Sequence, residues 1–180
     1  MPEALILLIV LILLALFQIV RSFRMVPEHE RLVILKMGRY TATRGPGLTM
    51  VLPLIEQAIR IDMREKSLDM PAQTATTQDN APVAVEFSVS YQVVDPRLSI
   101  IAVDQVARAL INLATTTLRA VIGELSRDDV LFKRHQISET LRMKLDEVAG
   151  SWGLKINRVE IRKIEPSRDV QDAMNRQKSA

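Results

Sequence analysis

The run from Ala4 to Val20 (ALILLIVLILLALFQIV) constrains this chain more than any other stretch. It holds no charge and no proline, and Gln18 is its one polar residue. As a helix rising ~1.5 Å per residue it reaches about 25 Å, the short end of what a bilayer core of ~30 Å requires. Each Leu or Ile near the centre of a spanning helix contributes roughly −0.3 to −0.6 kcal/mol, so the run supplies several kcal/mol of insertion energy. A secretory signal would carry a basic start and a small-residue cleavage site. Here the start is Met1-Pro2-Glu3, and the run leads into Arg21-Ser22-Phe23-Arg24. A core helix of a soluble protein would have to be apolar on every face. An anchor over residues 1–25 fits better, with Ala4, Leu5, Leu8, Leu11, Leu14, Phe17 and Val20 in lipid. Arg21 and Arg24 follow the run and only Glu3 precedes it. That bias places the N-terminus outside and the remainder in the cytoplasm. An apolar run this short thins the bilayer or lets Arg21 and Arg24 snorkel, holding the adjoining β-rich chain against the headgroups.

The roughly 155 residues beyond the anchor suffice for one domain or two small ones. A net charge of +3 and a pI near 9.4 suit anionic headgroups better than nucleic acid. One Trp, two Tyr and four Phe leave no interleaving of aromatic and basic side chains for single strands to stack on. Without cysteine there is no disulfide framework, thiolate metal site or thiol nucleophile.

Behind the anchor, Val26-Pro27 ends any continuing helix. Arg31–Met37 reads as a short β-branched strand. Gly38–Gly47 reads as a loop whose Pro46-Gly47 pair suits a turn, with glycine taking positive φ. Leu48–Pro53 is a brief apolar segment. In Ala58–Arg64, Ile59, Ile61 and Met63 alternate with Arg60, Asp62 and Arg64, predicting a strand over a core. Leu68–Thr77 continues as extended chain around Pro71, and Gln78-Asp79-Asn80 turns. Pro82–Asp95 is the clearest strand, with Val83, Val85, Phe87, Val89, Tyr91 and Val93 on one face. Residues 27–95 together read as one antiparallel β subdomain.

The pattern then changes period. Val103, Val106, Ala107, Leu110, Leu113, Ala114, Thr117, Leu118, Val121, Ile122 and Leu125 recur at helical spacing. Ser126 suits the cap of a next helix, with Asp128 and Asp129 placed well against its dipole. Ile137, Leu141, Leu145 and Val148 mark a helical stripe that Gly150–Gly153 ends. Leu154–Ile164 reads as a strand whose apolar phase changes between Ile156 and Val159, predicting a bulge near Asn157. Ser167 suits the cap of a last helix, with Val170 and Met174 four apart. Ala180 falls in mid-helix, so the pattern predicts a helix that runs on.

Catalytic signatures are missing: no G-x-S-x-G, H-E-x-x-H, P-loop or G-x-G-x-x-G. His29-Glu30 is followed by Leu32 and Val33 where a second zinc-binding His is needed. His135 stands alone among charged residues and reads as solvated. Arg44-Gly45-Pro46-Gly47 precedes no helix start and reads as a turn, not a phosphate loop. Lys66 and Ser67 are neighbours in a strand, so their side chains leave opposite faces and form no dyad. The expectation is a protein that is not an enzyme and holds no cofactor or metal.

Gly38-Arg39, Gly45-Pro46-Gly47-Leu48, Leu52-Pro53 and Ile61-Asp62-Met63-Arg64 follow one another at close spacing. Thr115-Thr116-Thr117-Leu118-Arg119, Trp152-Gly153-Leu154, Val159-Glu160-Ile161 and Ala173-Met174 come after them. This ordered set resembles a stomatin-like (slipin) member of the SPFH, or band 7, superfamily across residues 26–178. The resemblance implies an α+β fold with a single N-terminal transmembrane helix. An SPFH domain follows, an antiparallel β subdomain (26–96) and then an α/β subdomain (97–165). The start of a long coiled-coil helix comes last (166–180), with Val170 and Met174 on the oligomer coil. It implies a membrane-anchored, homo-oligomeric scaffold that forms rings or cages and organises membrane microdomains. The partners are then membrane lipids and further copies of the chain, with no nucleic acid. Some relatives regulate membrane-anchored AAA+ proteases in membrane protein quality control, or pair with a small NfeD-type membrane protein. Both remain open as partners, and a hydrolase using Ser67 is a third class. The location implied is the cell membrane (the inner one in a bacterium). Eukaryotic stomatins often carry a proline in the apolar run and enter the membrane as a hairpin. With no proline between Pro2 and Pro27, a single pass is expected here. Leu48, Met50, Val51 and Leu52 are candidates for a second membrane contact, against the alternative of an ordinary buried strand.

Overall fold

The computed structural model describes residues 2–52 and 55–166. The chain divides into two compact units at Met63–Arg64.

In the first unit, helix α1 (Pro2–Ser22) passes directly into strand β1 (Phe23–Val26). Ser22 donates its Oγ–H to the Gln18 carbonyl at 2.9 Å in the last turn of the helix. Strand β2 (Glu30–Lys36) lies between β3 (Arg39–Arg44) and β5 (Glu56–Asp62), while β4 (Gly47–Met50) pairs with β1 as a separate antiparallel ribbon. Val26, Leu32, Ile34 and Val51 bury together, with Ala58 packed against them.

Two expectations change in this unit. Most of the stretch read as loop, Gly38–Gly47, is strand β3. Met37 and Gly38, at φ of 50° and 78°, make the two-residue turn that leads into it, and Lys36 faces Arg39 across the turn. Positive φ at both central positions matches the twist of the paired strands. No apolar alternation announces β3 because its side chains are exposed or half-buried throughout. On β5, the face carrying Ala58 packs on the cluster, and Ile59 and Ile61 on the other face are half-buried.

The second unit is a three-stranded antiparallel sheet covered on one face by helices. Strands β6 (Lys66–Thr76), β7 (Pro82–Val93) and β8 (Leu154–Pro166) lie in that order with β7 central. The predicted face of β7 is buried at every position, from Val85 and Val89 at 0% exposure to Val93 at 8%. Pairing between β6 and β7 passes from Met70 to Gln73 and leaves out Ala72 and Pro71, the latter with no N–H to give. Pairing between β7 and β8 passes from Ile156 to Arg158, so one bulge falls at Asn157, where the phase change puts it, and a second leaves out Arg162 between Ile161 and Lys163.

Between β7 and β8 come four helices. Asp95 caps α2 (Pro96–Ile101) by accepting from the N–H groups of Arg97 and Leu98. Helix α3 (Val106–Gly123) buries Leu110, Ala114, Leu118, Val121 and Ile122. Ser126 caps α4 (Arg127–Phe132) by accepting from Asp129 N–H. The Lys133 ammonium, 2.8 Å away, and the Ser126 hydroxyl hold the Asp129 carboxyl below the usual carboxylate range. Helix α5 (Arg134–Gly150) turns Ile137, Leu141, Leu145 and Ala149 inward; Val148, expected on that stripe, is 40% exposed. Helix α3 packs along β6 and α5 along β8.

The boundary expected between residues 96 and 97 therefore moves to Met63–Arg64. Strands β6 and β7 belong with the helices because β7 takes β8, from far along the chain, as its second partner. Ser167, Val170 and Met174 lie outside the described residues.

Gly153 holds this unit at one tight point. It sits at φ +71°, and a Cβ there would collide with Asp95 O and come within 2.9 Å of the Leu98 Cβ. Its carbonyl accepts from the N–H groups of Val94 and Asp95 at 2.8 and 3.0 Å. Gly153→Ala is expected to cost on the order of 2–4 kcal/mol, from left-handed strain plus a clash with backbone. Urea unfolding measures it; an unchanged midpoint would show that the approach relaxes freely.

Candidate functional site

The first unit carries its apolar side chains on the outside as well as in its core. On α1 the expected anchor residues Leu8, Leu11, Leu14, Phe17 and Val20 are all exposed, at 58–66%. Ala4, Leu5 and Arg21 lie within the helix, and their side chains are outside the described ones. Among the described residues, no helix is long and apolar enough to cross a membrane.

The β1–β4 ribbon continues this exposure. Phe23 faces Met50 and Met25 faces Leu48 across the antiparallel ladder. Directly opposed residues share a face, as do residues two apart. All four side chains therefore stand on one side of the ribbon, and all are exposed: Phe23 47%, Met25 75%, Leu48 70% and Met50 46%. On the other side, Val26 and Thr49 are buried at 2% and 6%. Burying a large apolar side chain is worth roughly 1.5–3 kcal/mol, so four half-exposed ones leave on the order of 4 kcal/mol unrealised.

The apolar segment read from the sequence thus divides by parity. Leu48, Met50 and Leu52 point outward, but Val51 is 5% exposed and packs in the core with Val26, Leu32 and Ile34. Val51 is withdrawn from the expected contact set, because its N–H donates to the Ser22 carbonyl at 2.8 Å and turns the side chain inward. Polar groups brace the segment: Arg44 donates to the Met50 carbonyl at 2.9 Å, and Leu52 N–H to Glu56 Oε2 at 3.1 Å. Arg24 is exposed on β1. Phe23 and Met25 were not legible as site residues, since a four-residue strand fused to a helix offers too little alternation to read. Beyond the ribbon, Met37 and Ile55 are also exposed, at 83% and 43%, and Met37 N–H donates to the Ile55 carbonyl.

Among the described residues, the candidate catalytic side chains are not brought together. His29 and His135 are both exposed. Lys66 and Ser67 are consecutive on β6, facing Tyr91 and Ser90. Among the described residues, no three metal-ligating side chains converge.

Fold and ribbon define a two-unit α+β protein whose first unit turns an apolar face outward beside an exposed apolar helix. The chain belongs to the SPFH domain / Band 7 family, whose description matches residues 24–180. It is 38% identical over 171 residues to a stomatin homolog of Pyrococcus horikoshii, covering 95% of this chain and 64% of that one. A stomatin homolog of Pyrococcus abyssi is 36% identical over the same shares. A Methanocaldococcus jannaschii protein is 38% identical over 172 residues, 96% of this chain and 86% of its own. The chain thus spans under two thirds of the length of the Pyrococcus relatives. None of these three is named as an enzyme.

The outer face of the ribbon and the core beneath it should respond differently to substitution. Leu48→Lys is expected to change stability by no more than about 0.5 kcal/mol, whereas Leu32→Ala should cost about 2–5 kcal/mol. Urea unfolding of the full chain in detergent compares them; a large loss from Leu48→Lys would show that the outer face is part of the core.

Proposed function

We propose that the protein is a membrane-anchored, self-assembling scaffold that organises patches of membrane. The observation that carries the reading is the continuity of exposed apolar surface from α1 into the Phe23, Met25, Leu48 and Met50 face. In this reading α1 crosses the bilayer once. Its 21 residues make a helix of about 31 Å, against a hydrocarbon core of ~30 Å. The uncharged run includes Ala4, Leu5, Ala15 and Ile19 in the sequence, although their side chains lie outside the described ones. Arg21 and Arg24 at its inner end favour the cytoplasmic side for both units, and each basic group near an anionic surface adds about 1 kcal/mol.

Membership of a family in which the Pyrococcus relatives are named stomatin homologs supports the scaffold role. The physical logic is multivalent. One small unit binds its neighbour weakly, but copies confined to a membrane meet at high effective concentration, so weak contacts add up.

Two measurements test the reading. The full chain solubilised in detergent is expected to give a mass of several copies at micromolar concentration by light scattering; a monomer would remove the scaffold. The chain has no cysteine, so Leu48→Cys and Thr41→Cys each accept one fluorescent label. In vesicles with brominated lipids, the label at Leu48→Cys should be quenched and the one at Thr41→Cys should not. Equal, water-like emission at both would remove the ribbon contact while leaving assembly to the first measurement.

A further inference from the structure

Strand β8 has thirteen residues and lies at the end of its sheet. One edge pairs with β7, and the other takes no strand partner among the described residues. Helix α5 covers that free edge unevenly. Near its C-terminal end, Asp146 Oδ1 accepts the Ile156 N–H at 2.9 Å. Toward its start, a groove of about 560 Å³ lies between the helix, at Arg134, His135 and Ser138, and the strand at residues 158–162.

The register says which backbone groups look into the groove. Ile156, Val159 and Ile161 pair with Tyr91, Val89 and Phe87, every second residue of β7. Pairs two apart on an antiparallel strand are of the same kind. The Ile156 N–H points away from β7 to reach Asp146, so those of Val159 and Ile161 point away as well. Among the described residues, neither N–H has a second partner.

Charges of both signs line the groove, and most of them are paired. Its two carboxylates are already engaged, Glu160 with Arg158 at 2.9 Å and Glu139 with Arg142 at 3.1 Å. Arg162 is held by Asp69 at 2.8 Å. Arg134 and His135 have no ion pair among the described residues.

We propose that this groove binds an extended, acidic segment of a partner protein as a fourth strand beside β8. Five residues of such a segment, about 17 Å long, span 158–162. Its backbone pairs with Val159 and Ile161, which supplies affinity independent of sequence. Its side chains on the helix side meet Arg134 and His135, which selects acidic residues there. This site is independent of the membrane reading.

The probe is a fluorescein-labelled octapeptide of alternating Glu and Val, titrated against the full chain in detergent by anisotropy. Binding is expected, with Arg134→Glu weakening it about tenfold or more. A peptide with Lys in place of Glu, or one N-methylated at alternate residues, is expected not to bind. The amides of Val159 and Ile161, but not those of Arg158 and Glu160, should gain protection from exchange when the peptide binds. Equal binding of the N-methylated peptide would overturn strand addition, and equal binding of the Lys peptide would overturn the acidic assignment. No peptide binding, with two chains cross-linking through Ile161→Cys, would give the groove to a second copy and overturn the partner assignment.

Discussion

The second unit depends on one strand buried on one face from end to end. Strand β7 presents Val83, Val85, Phe87, Val89, Tyr91 and Val93 to the helices and holds a partner on each edge. Everything else in the unit is placed by it. Its β-branched and aromatic face sets where α3 and α5 lie, one over each flanking strand. Its two ladders decide that β6 and β8 are edges. The bulges fall on the partners, at Pro71–Ala72, Asn157 and Arg162, while β7 keeps its alternation. The extra residue at Asn157 also puts Val159 and Ile161 back in phase with the core after Ile156. That correction aims their N–H groups at the groove beside α5. An edge of this kind is usually protected by charge or cover, and here Asp146 closes it at Ile156.

Legibility followed burial. The face of β7, the Ser126 cap and the Asn157 bulge could all be read because each imposes a period or a residue type that the sequence cannot hide. Strand β3 left no trace, since Arg39–Arg44 is an edge with polar side chains and no buried face to alternate. The start of α2 was not legible, because the strand pattern of Pro82–Asp95 runs up to it and Asp95-Pro96 ends a strand as readily as it opens a helix. The same pair caps and opens a helix, because the Asp95 carboxylate collects two N–H groups and proline fits the first turn. The unit boundary was invisible for a different reason. Strands flank Met63–Arg64 on both sides, so composition and period do not change there, and only the pairing of β7 with β8 reveals the break. The candidate contact was half legible. Leu48, Met50, Val51 and Leu52 are equally apolar, and what separates Val51 is a backbone hydrogen bond to Ser22, in the last residue of α1.

That hydrogen bond links the two apolar surfaces of the first unit. Ser22 ends the helix, accepts from Val51 and so pins the far end of β4 beside the start of β1. The ribbon then has no freedom to choose its faces. Val26 and Val51 go to the core, while Phe23, Met25, Leu48 and Met50 go outward, immediately beyond α1. By itself, an outer face worth on the order of 4 kcal/mol would give weak and reversible binding to a surface, much like a single short acyl chain. Fused to a helix that on the proposed reading crosses the bilayer, it costs little further entropy to bring there, because the linker between them has zero length. On the proposed reading, the ribbon does not decide whether the protein is at the membrane. It decides how the first unit is held once there, fixing its depth and orientation so that neighbouring copies meet with the same surfaces. A scaffold assembled from weak contacts needs that alignment more than it needs additional anchoring energy.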